Sequence, residues 1–403
     1  MSKPRAQRRT RDLALGLALL LATLGLMLFP QQTMSAARDG LTLCGNVIIP
    51  SLFPFFVLSS LVVELGLAGC LGRALEGIMR PLFRVGGTCA PAFALGFIGG
   101  YPVGARTAIN LYENGMCSHT EAERLLAFCN NSGPAFILGV VGAGIFASSA
   151  VGVLLYLVHA AASICVGLIF RFYRAGREGG TAGQEVRPGP RFEAKGLASA
   201  FTGSIKGAFL STLNICAFVV FFTVAIRLLA LTGVLPGTAR LLGLLFGPFG
   251  MTQAWAERLL TGVLEISSGV WTLSGATGAV GRLPMAAFML GWAGCSVHCQ
   301  VLSFMENSGL SARPYLIGKL LHGGFSALLT AVRVRVLPLR ISVAGYLTDQ
   351  ADTLAGLDFH TALTFSILSV CGISSCFCVL PPLRPGKKSG DSVRSRLRIR
   401  YNE

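Results

Sequence analysis

Two short segments place polar and helix-breaking residues inside almost wholly apolar sequence: GGYPVGAR, residues 99–106, and CNNSGP, residues 129–134. In a membrane-embedded helix, glycine and proline free backbone N–H and C=O groups. Each costs several kcal/mol unless protein, water or a solute satisfies it. Such breaks belong beside a polar cavity. Gly99, Gly100 and Pro102 are read as ending one half-helix and starting another, with Tyr101 and Arg106 facing that cavity. Asn130, Asn131 and Ser132 are strong capping residues, followed directly by Gly133 and Pro134, which marks a second half-helix start. A half-helix N-terminus carries partial positive charge and unpaired N–H groups, a seat for a carboxylate or phosphate. The chemistry expected of these residues is recognition of a small anionic substrate.

Two further stretches mirror them, LEISSG at 264–269 and GCSVHCQ at 294–300. Ser267, Ser268 and His298 are the binding candidates there, His298 as a hydrogen-bonding or proton-accepting group. Glu265 is the candidate for a coupling proton or sodium ion. The competing reading of both pairs of motifs is packing: glycine lets helices approach, and Asn or Ser bonds across them. Arg124, within TEAERLL, is expected to snorkel to an interface. Cys295, His298 and Cys299 share a helical face, but they are only three local ligands with no second cluster to complete a site, so no metal and no cofactor is expected. The sequence has no Walker loop, no GxSxG elbow and no HExxH, so the chain is not read as an enzyme.

The elements that must hold these residues are transmembrane helices. Of 403 residues, 53% are hydrophobic and 13% charged, with a mean hydropathy of +0.65; soluble domains run at roughly a quarter charged. Residues 13–29 carry Thr23 as their single polar side chain. At about 1.5 Å per residue that run reaches roughly 26 Å, close to the hydrocarbon thickness. Other uncharged runs lie at 40–63, 125–170, 207–226, 283–305 and 359–383. Runs at 228–239, 241–256 and 266–281 fall short of the ~20 residues a span needs and suggest broken or re-entrant helices. The expectation is an all-α integral membrane protein with about eight to ten embedded segments.

The formal net charge of +16 gathers in MSKPRAQRRTR, in the loop beginning RFYRAGRE at residue 171, and in LRPGKKSGDSVRSRLRIR near the C-terminus. Basic residues held beside span ends read as cytoplasmic and as contacts with the lipid bilayer, not with nucleic acid. Twelve cysteines form no regular framework and read as small buried hydrophobes. SAA at 35–37 also resembles a signal-peptide cleavage site, whose use would leave the remaining topology unchanged.

The organisation expected is a basic N-terminus and first span (1–40), a first membrane repeat (41–172), a cytoplasmic linker (173–206), a second repeat (207–332), a C-terminal segment with the last span (333–383) and a basic tail (384–403). Pairing Phe55-Phe56 with Phe221-Phe222, Tyr101 with Gly269 and Phe128 with Gly291 gives a nearly constant offset, a weak internal repeat. The first repeat starts outside and the second inside, so the two have inverted topologies, as in many secondary transporters.

In NVIIPSLFPFFVLSSLV, GFIGGYPVGAR and FCNNSGPAFILGVVG the chain resembles the sporulation integral membrane protein YlbJ family of spore-forming Firmicutes, itself similar to nucleoside-recognition (Gate) domain proteins. The resemblance covers roughly residues 40–380. It implies movement of dipicolinic acid across the mother-cell-derived outer forespore membrane, and it supplies no binding residues. The alternatives are a nucleoside or nucleobase carrier, or a non-transporting structural or assembly protein of the sporulation membrane. A homo-oligomer or sporulation membrane partners are compatible with either.

Overall fold

The computed structural model describes residues 5–65, 77–175, 197–274 and 279–336, together with Leu75 and Ala276. The expected last span at 359–383, most of the linker and the basic tail lie outside the described residues. Every regular element among the described residues is helical.

Helix α1 (Arg5–Leu28) turns by 97° at Phe29 into α2 (Pro30–Leu43), whose first position is a proline with no N–H to lose. Thr33, Ala36 and Gly40 form the buried face of α2, and a Cβ on Gly40 would stand 3.1 Å from the Cα of Val220. A π-helical turn, Cys44–Ile48, joins α2 to α3 (Ile49–Glu64). Pro50 follows directly. Its ring would meet the carbonyl four residues back, at Asn46, and the wider turn accommodates it.

A short helix α4 (Gly77–Phe83) bends by 99° into the stretch Gly87–Gly99, which contains α5 (Ala90–Gly99). Helix α6 (Val103–Glu113) returns from the tip to complete a helical hairpin. Helix α7 (His119–Phe128) opens on a capping box in which Ser118 and Glu121 exchange bonds, and the second Glu121 oxygen accepts from the Gly86 N–H at 2.7 Å. Residues 129–133 are non-helical; Pro134, a π-helical segment Ala135–Ile145 and α8 (Ser149–Phe170) follow.

The second half repeats this order. Helix α9 (Leu197–Leu231) begins within the stretch expected to be linker and is 35 residues long, about 50 Å. Helix α10 (Val234–Phe246) leads through a 117° bend into α11 (Gln253–Leu264), and Glu265 separates α11 from the short α12 (Ile266–Trp271). Helix α13 (Ala279–Trp292) breaks at Ala293 before α14 (Gly294–Met305), and α15 (Ala312–Val336) closes the half. Thus α3 answers α9, hairpin α5–α6 answers α11–α12, the break after α7 answers that after α13, and α8 answers α15. The packing follows the same exchange: α3 lies on α9, α8 on α15, α7 on α15 and α13 on α8.

Four stretches are long and apolar enough to cross a membrane, Ser149–Phe170, Ala198–Leu231, Gly281–Met305 and Ala312–Val336. The bent pairs at 12–48, 77–99 and 234–264 raise the count to seven among the described residues. Arg124 does not snorkel. It is 1% exposed, and its guanidinium donates to the carbonyls of Arg84 and Tyr173, which ties α7 to the ends of α4 and α8.

Close helix contact predicts a sharp contrast within α15. A Cβ on Gly318 would run into the Ala127 carbonyl oxygen and lie 2.7 Å from that residue's Cα, whereas one on Gly324 meets nothing within 4 Å. Gly318→Ala is expected to lower the melting temperature of the purified protein by several degrees, the effect of about 1–3 kcal/mol of overpacking. Gly324→Ala is expected to leave it unchanged or raise it. Equal melting of the two variants would remove the α7–α15 contact from the fold.

Candidate functional site

Each half brings its hairpin tip against its own helix break, and glycine makes both approaches possible. In the first half, Gly100 at the α5–α6 tip has φ 72°, and a Cβ on it would lie 2.8 Å from the backbone nitrogen of Gly133. In the second half, Gly294 has φ 83°, and a Cβ there would lie 3.0 Å from the nitrogen of Ile266. Its neighbour Ala293 is left-handed too, at φ 82°. That conformation costs an L-residue roughly 1–2 kcal/mol and is found where surrounding structure imposes it. The correspondence sets the Gly100 tip opposite Glu265 and Ile266, about one helical turn from the Tyr101–Gly269 pairing expected from sequence.

Both tips, the first break and the opening turns of α14 line one cavity of about 60 Å³. Gly99, Gly100 and Tyr101 line it from the first tip, Ser132 and Gly133 from the first break, Glu265 and Ser267 from the second tip, and Ser296 and Gln300 from α14. The remaining wall is apolar, from residues such as Leu52, Phe56, Phe136 and Phe218. Seven residues expected at a binding site therefore meet in one place.

The other expected residues are elsewhere. Arg106 is exposed on α6 with its guanidinium over the Phe304 ring, 5.8 Å from the centroid. Pro102, joined to Tyr101 by a cis peptide, is half-buried beside the cavity without lining it. Asn130 and Asn131 are fully buried but serve the backbone: Asn130 Oδ1 accepts from the Ala105 N–H at 3.4 Å in the first turn of α6, and Asn131 Nδ2 donates to the Phe128 carbonyl at 3.1 Å. These amides close helix ends across elements, the packing role weighed against ligand binding above. Ser268 lies just outside, its hydroxyl 3.2 Å from that of Thr223. His298 turns away: its Nδ1 meets the Tyr315 hydroxyl at 2.9 Å and its ring stands edge-on to Trp292. Cys299 on the same helix is exposed, so Cys295, His298 and Cys299 do not converge.

Glu265 is 1% exposed, and both its oxygens are engaged by the α12 N-terminus: Oε1 accepts from Ser267 N–H at 2.9 Å and Oε2 from Ser268 N–H at 2.6 Å. A carboxylate in that place is favoured by two charge-assisted bonds and by the helix dipole. Opposite it, the buried Ser132 hydroxyl lines the cavity with no hydrogen-bond partner among the described residues.

Sequence reading passes over Lys319, although a lysine inside LIGKLLHGGF is a functional hypothesis by its rarity alone. Lys319, on α15, is 1% exposed. Its Nζ donates to the Tyr101 hydroxyl at 2.9 Å and to the Asn130 carbonyl at 2.9 Å, and lies 3.2 Å from His322 Nδ1. The Tyr101 hydroxyl in turn donates to the Leu290 carbonyl at 2.7 Å. His159 on α8 accepts from the Ser132 N–H at 3.0 Å, and its ring lies 4.2 Å from that of His322. These side chains converge from α8 and α15 on the tip and break of the first half.

Comparison with known proteins places this architecture. Residues 47–173 match the Gate family model, described as nucleoside recognition. A solved structure of a CNTnw variant in an intermediate 3 state aligns with a TM-score of 0.50 at 14% identity, covering 84% of this chain and 88% of that one. CNTnw in an inward-facing substrate-bound state aligns at 0.46 and 12% identity, covering 82% and 85%. The sporulation integral membrane protein YlbJ of Bacillus subtilis (strain 168) is 30% identical over 318 residues, 74% of this chain and 76% of that protein. At that identity and coverage, with broken helices of the kind described, this integral membrane protein belongs to the YlbJ family of sporulation integral membrane proteins.

Proposed function

We propose that the chain is a carrier that moves a small organic anion, dipicolinic acid, across the membrane in which it sits. One observation carries the reading: two hairpin tips, one helix break and the start of α14, from the two halves of the chain, line a single cavity. Unwound backbone at such depth is tolerated where it lines a cavity, and half-helix N-termini there favour anionic groups. The apolar walls suit an aromatic ring, and the Ser132 hydroxyl, Ser267, Ser296 and Gln300 suit a polar edge. The α12 N-terminus already holds a carboxylate, that of Glu265. Kinship with a sporulation membrane protein supports dipicolinate as the solute and the outer forespore membrane as the location. Positive charge near the chain ends supports cytoplasmic termini.

A second reading, a nucleoside or nucleobase carrier, is favoured by a specific feature. The lining contains Glu265 and Gln300 but no lysine or arginine among the described residues, which suits a neutral ligand with hydrogen-bonding edges. The Gate family description points the same way.

Uptake of labelled dipicolinate by proteoliposomes, with nucleosides and nucleobases as competitors, decides between them. Dipicolinate is expected to accumulate and to be displaced by unlabelled dipicolinate but not by uridine. Displacement by uridine, or uptake of uridine alone, would establish the second reading, and flux of neither solute by folded protein would sink both.

Within the same assay, Ser132→Ala is expected to raise the apparent KM by about 3–10-fold, the loss of one hydrogen bond worth about 0.5–1.5 kcal/mol. Arg106→Gln, outside the cavity, is expected to stay within about twofold of wild type. Reversal of that order would return the site to Arg106. Glu265→Gln removes the charge and one of two acceptors at the α12 N-terminus, and is expected to cost about 1 kcal/mol of stability by thermal melting. A Gln variant as stable as wild type would show that the carboxylate does not secure the tip.

A further inference from the structure

The described part of Lys319's surroundings is built for an ammonium. A lysine ammonium has three N–H donors and no acceptor. Three acceptors stand around Nζ: the Tyr101 hydroxyl oxygen at 2.9 Å, the Asn130 carbonyl at 2.9 Å and His322 Nδ1 at 3.2 Å. The tautomers agree. His322 Nε2 lies 2.9 Å from the His159 carbonyl, so Nε2 carries the hydrogen and Nδ1 is free to accept. The Tyr101 hydroxyl spends its proton on the Leu290 carbonyl and so accepts from lysine. A neutral amine would leave one of the three acceptors facing a lone pair.

The place this ammonium occupies is itself informative. Asn130 follows the C-terminal end of α7, where carbonyls are unpaired and the dipole favours a cation. In carriers with broken helices, carbonyls at unwound segments and half-helix C-terminal ends are where a coupling ion sits. Here that seat is filled by a side chain of the protein, and among the described residues no carboxylate pairs with it. Buried charge without a counter-ion is costly, so the ammonium rests on its three acceptors alone and is poised to give up its proton.

Resting on the carrier reading above, we propose that Lys319 is a built-in coupling cation: its ammonium fills the seat between the α5–α6 tip and the C-terminal end of α7 that an external sodium ion would otherwise take, and the proton it exchanges is the coupled ion. The step balances within the chain. A proton passes from Nζ to His322 Nδ1, leaving a neutral amine and an imidazolium, and both bonds from lysine to the tip and the break weaken, which frees the tip to move. The groups that set this exchange face it from every element packed on α15: His159 from α8, Cys129 from the α7 break, His298 from α14 and Tyr101 from the hairpin, with Tyr315 and His322 on α15 itself. Helix α13 contributes the Leu290 carbonyl. Glu123 on α7 is engaged elsewhere, with Arg174, Tyr173 and the Ser311 N–H.

Thermal melting of the purified protein tests the seat without reference to transport. Wild type is expected to melt alike in sodium and choline chloride. Lys319→Ala is expected to melt roughly 5 °C lower or more, and methylammonium chloride, but not choline chloride, should restore most of the loss by supplying the missing cation. Stabilisation of wild type by sodium over choline, or an Ala variant that methylammonium does not help, overturns the proposal.

Lys319→Met keeps the side-chain volume and covers the case in which the Ala variant does not fold. In proteoliposomes it should lose the stimulation of dipicolinate flux by a proton gradient that wild type shows. Undiminished stimulation in the Met variant overturns the lysine's role while leaving the carrier reading intact. Methylammonium rescue of the Ala variant, with no flux of any solute by wild type, would sink the carrier reading while the seat stands.

Discussion

Main-chain polar groups cannot be left bare in hydrocarbon, and this chain interrupts its helices at four places, three of which line one cavity. Much of the surrounding structure answers that constraint. The end of α7 is closed by Asn131 on the Phe128 carbonyl and by Lys319 on the Asn130 carbonyl. The Ser132 N–H is met by His159 from α8, and the first turn of α6 by Asn130. In the second half, Glu265 takes the two N–H groups that open α12. Several of these partners come from distant parts of the chain, so the interruptions can exist only inside the finished bundle. The Ser132 hydroxyl is a gap in this closure, and it faces the cavity.

The two halves repeat an order of elements but not an electrostatic design. The first half presents the C-terminal end of a helix to its break and meets it with the Nζ donor of Lys319. The second presents a helix N-terminus and meets it with the two acceptor oxygens of Glu265. Donor and acceptor each suit the helix end they meet. Both abut the moving parts that the carrier reading requires, the tips of the hairpins, and in both halves glycine lets tip and break approach to backbone contact. A side chain at Gly100, Gly133 or Gly294 would part those contacts before it touched any solute.

Hydropathy and helix breakers were legible along the chain because both are local properties. A run of apolar residues reports its own burial, and Gly99-Gly100 or Gly133-Pro134 reports its own unwinding whatever packs nearby. Hence the helical class, the broken segments and seven of the cavity residues followed from sequence. Polar side chains were another matter. Asn130 and Asn131 are the two residues before Ser132, yet they turn to the ends of α6 and α7 while Ser132 faces the cavity. Around a helix break, successive residues point in directions that no periodicity predicts.

What the amino-acid sequence determined by itself is therefore that this is a membrane-embedded helical protein of two similar halves with interrupted helices. What only the tertiary structure decided is which charges reach the interruptions. Arg106, beside the first break in sequence, lies exposed over Phe304, while Lys319, almost two hundred residues away from the Asn130 carbonyl, donates to it. The physical reason is that a hydrogen bond depends on distance in space, and helices α7 and α15 bring Ala127 and Gly318 into backbone contact that nothing in either segment announces alone.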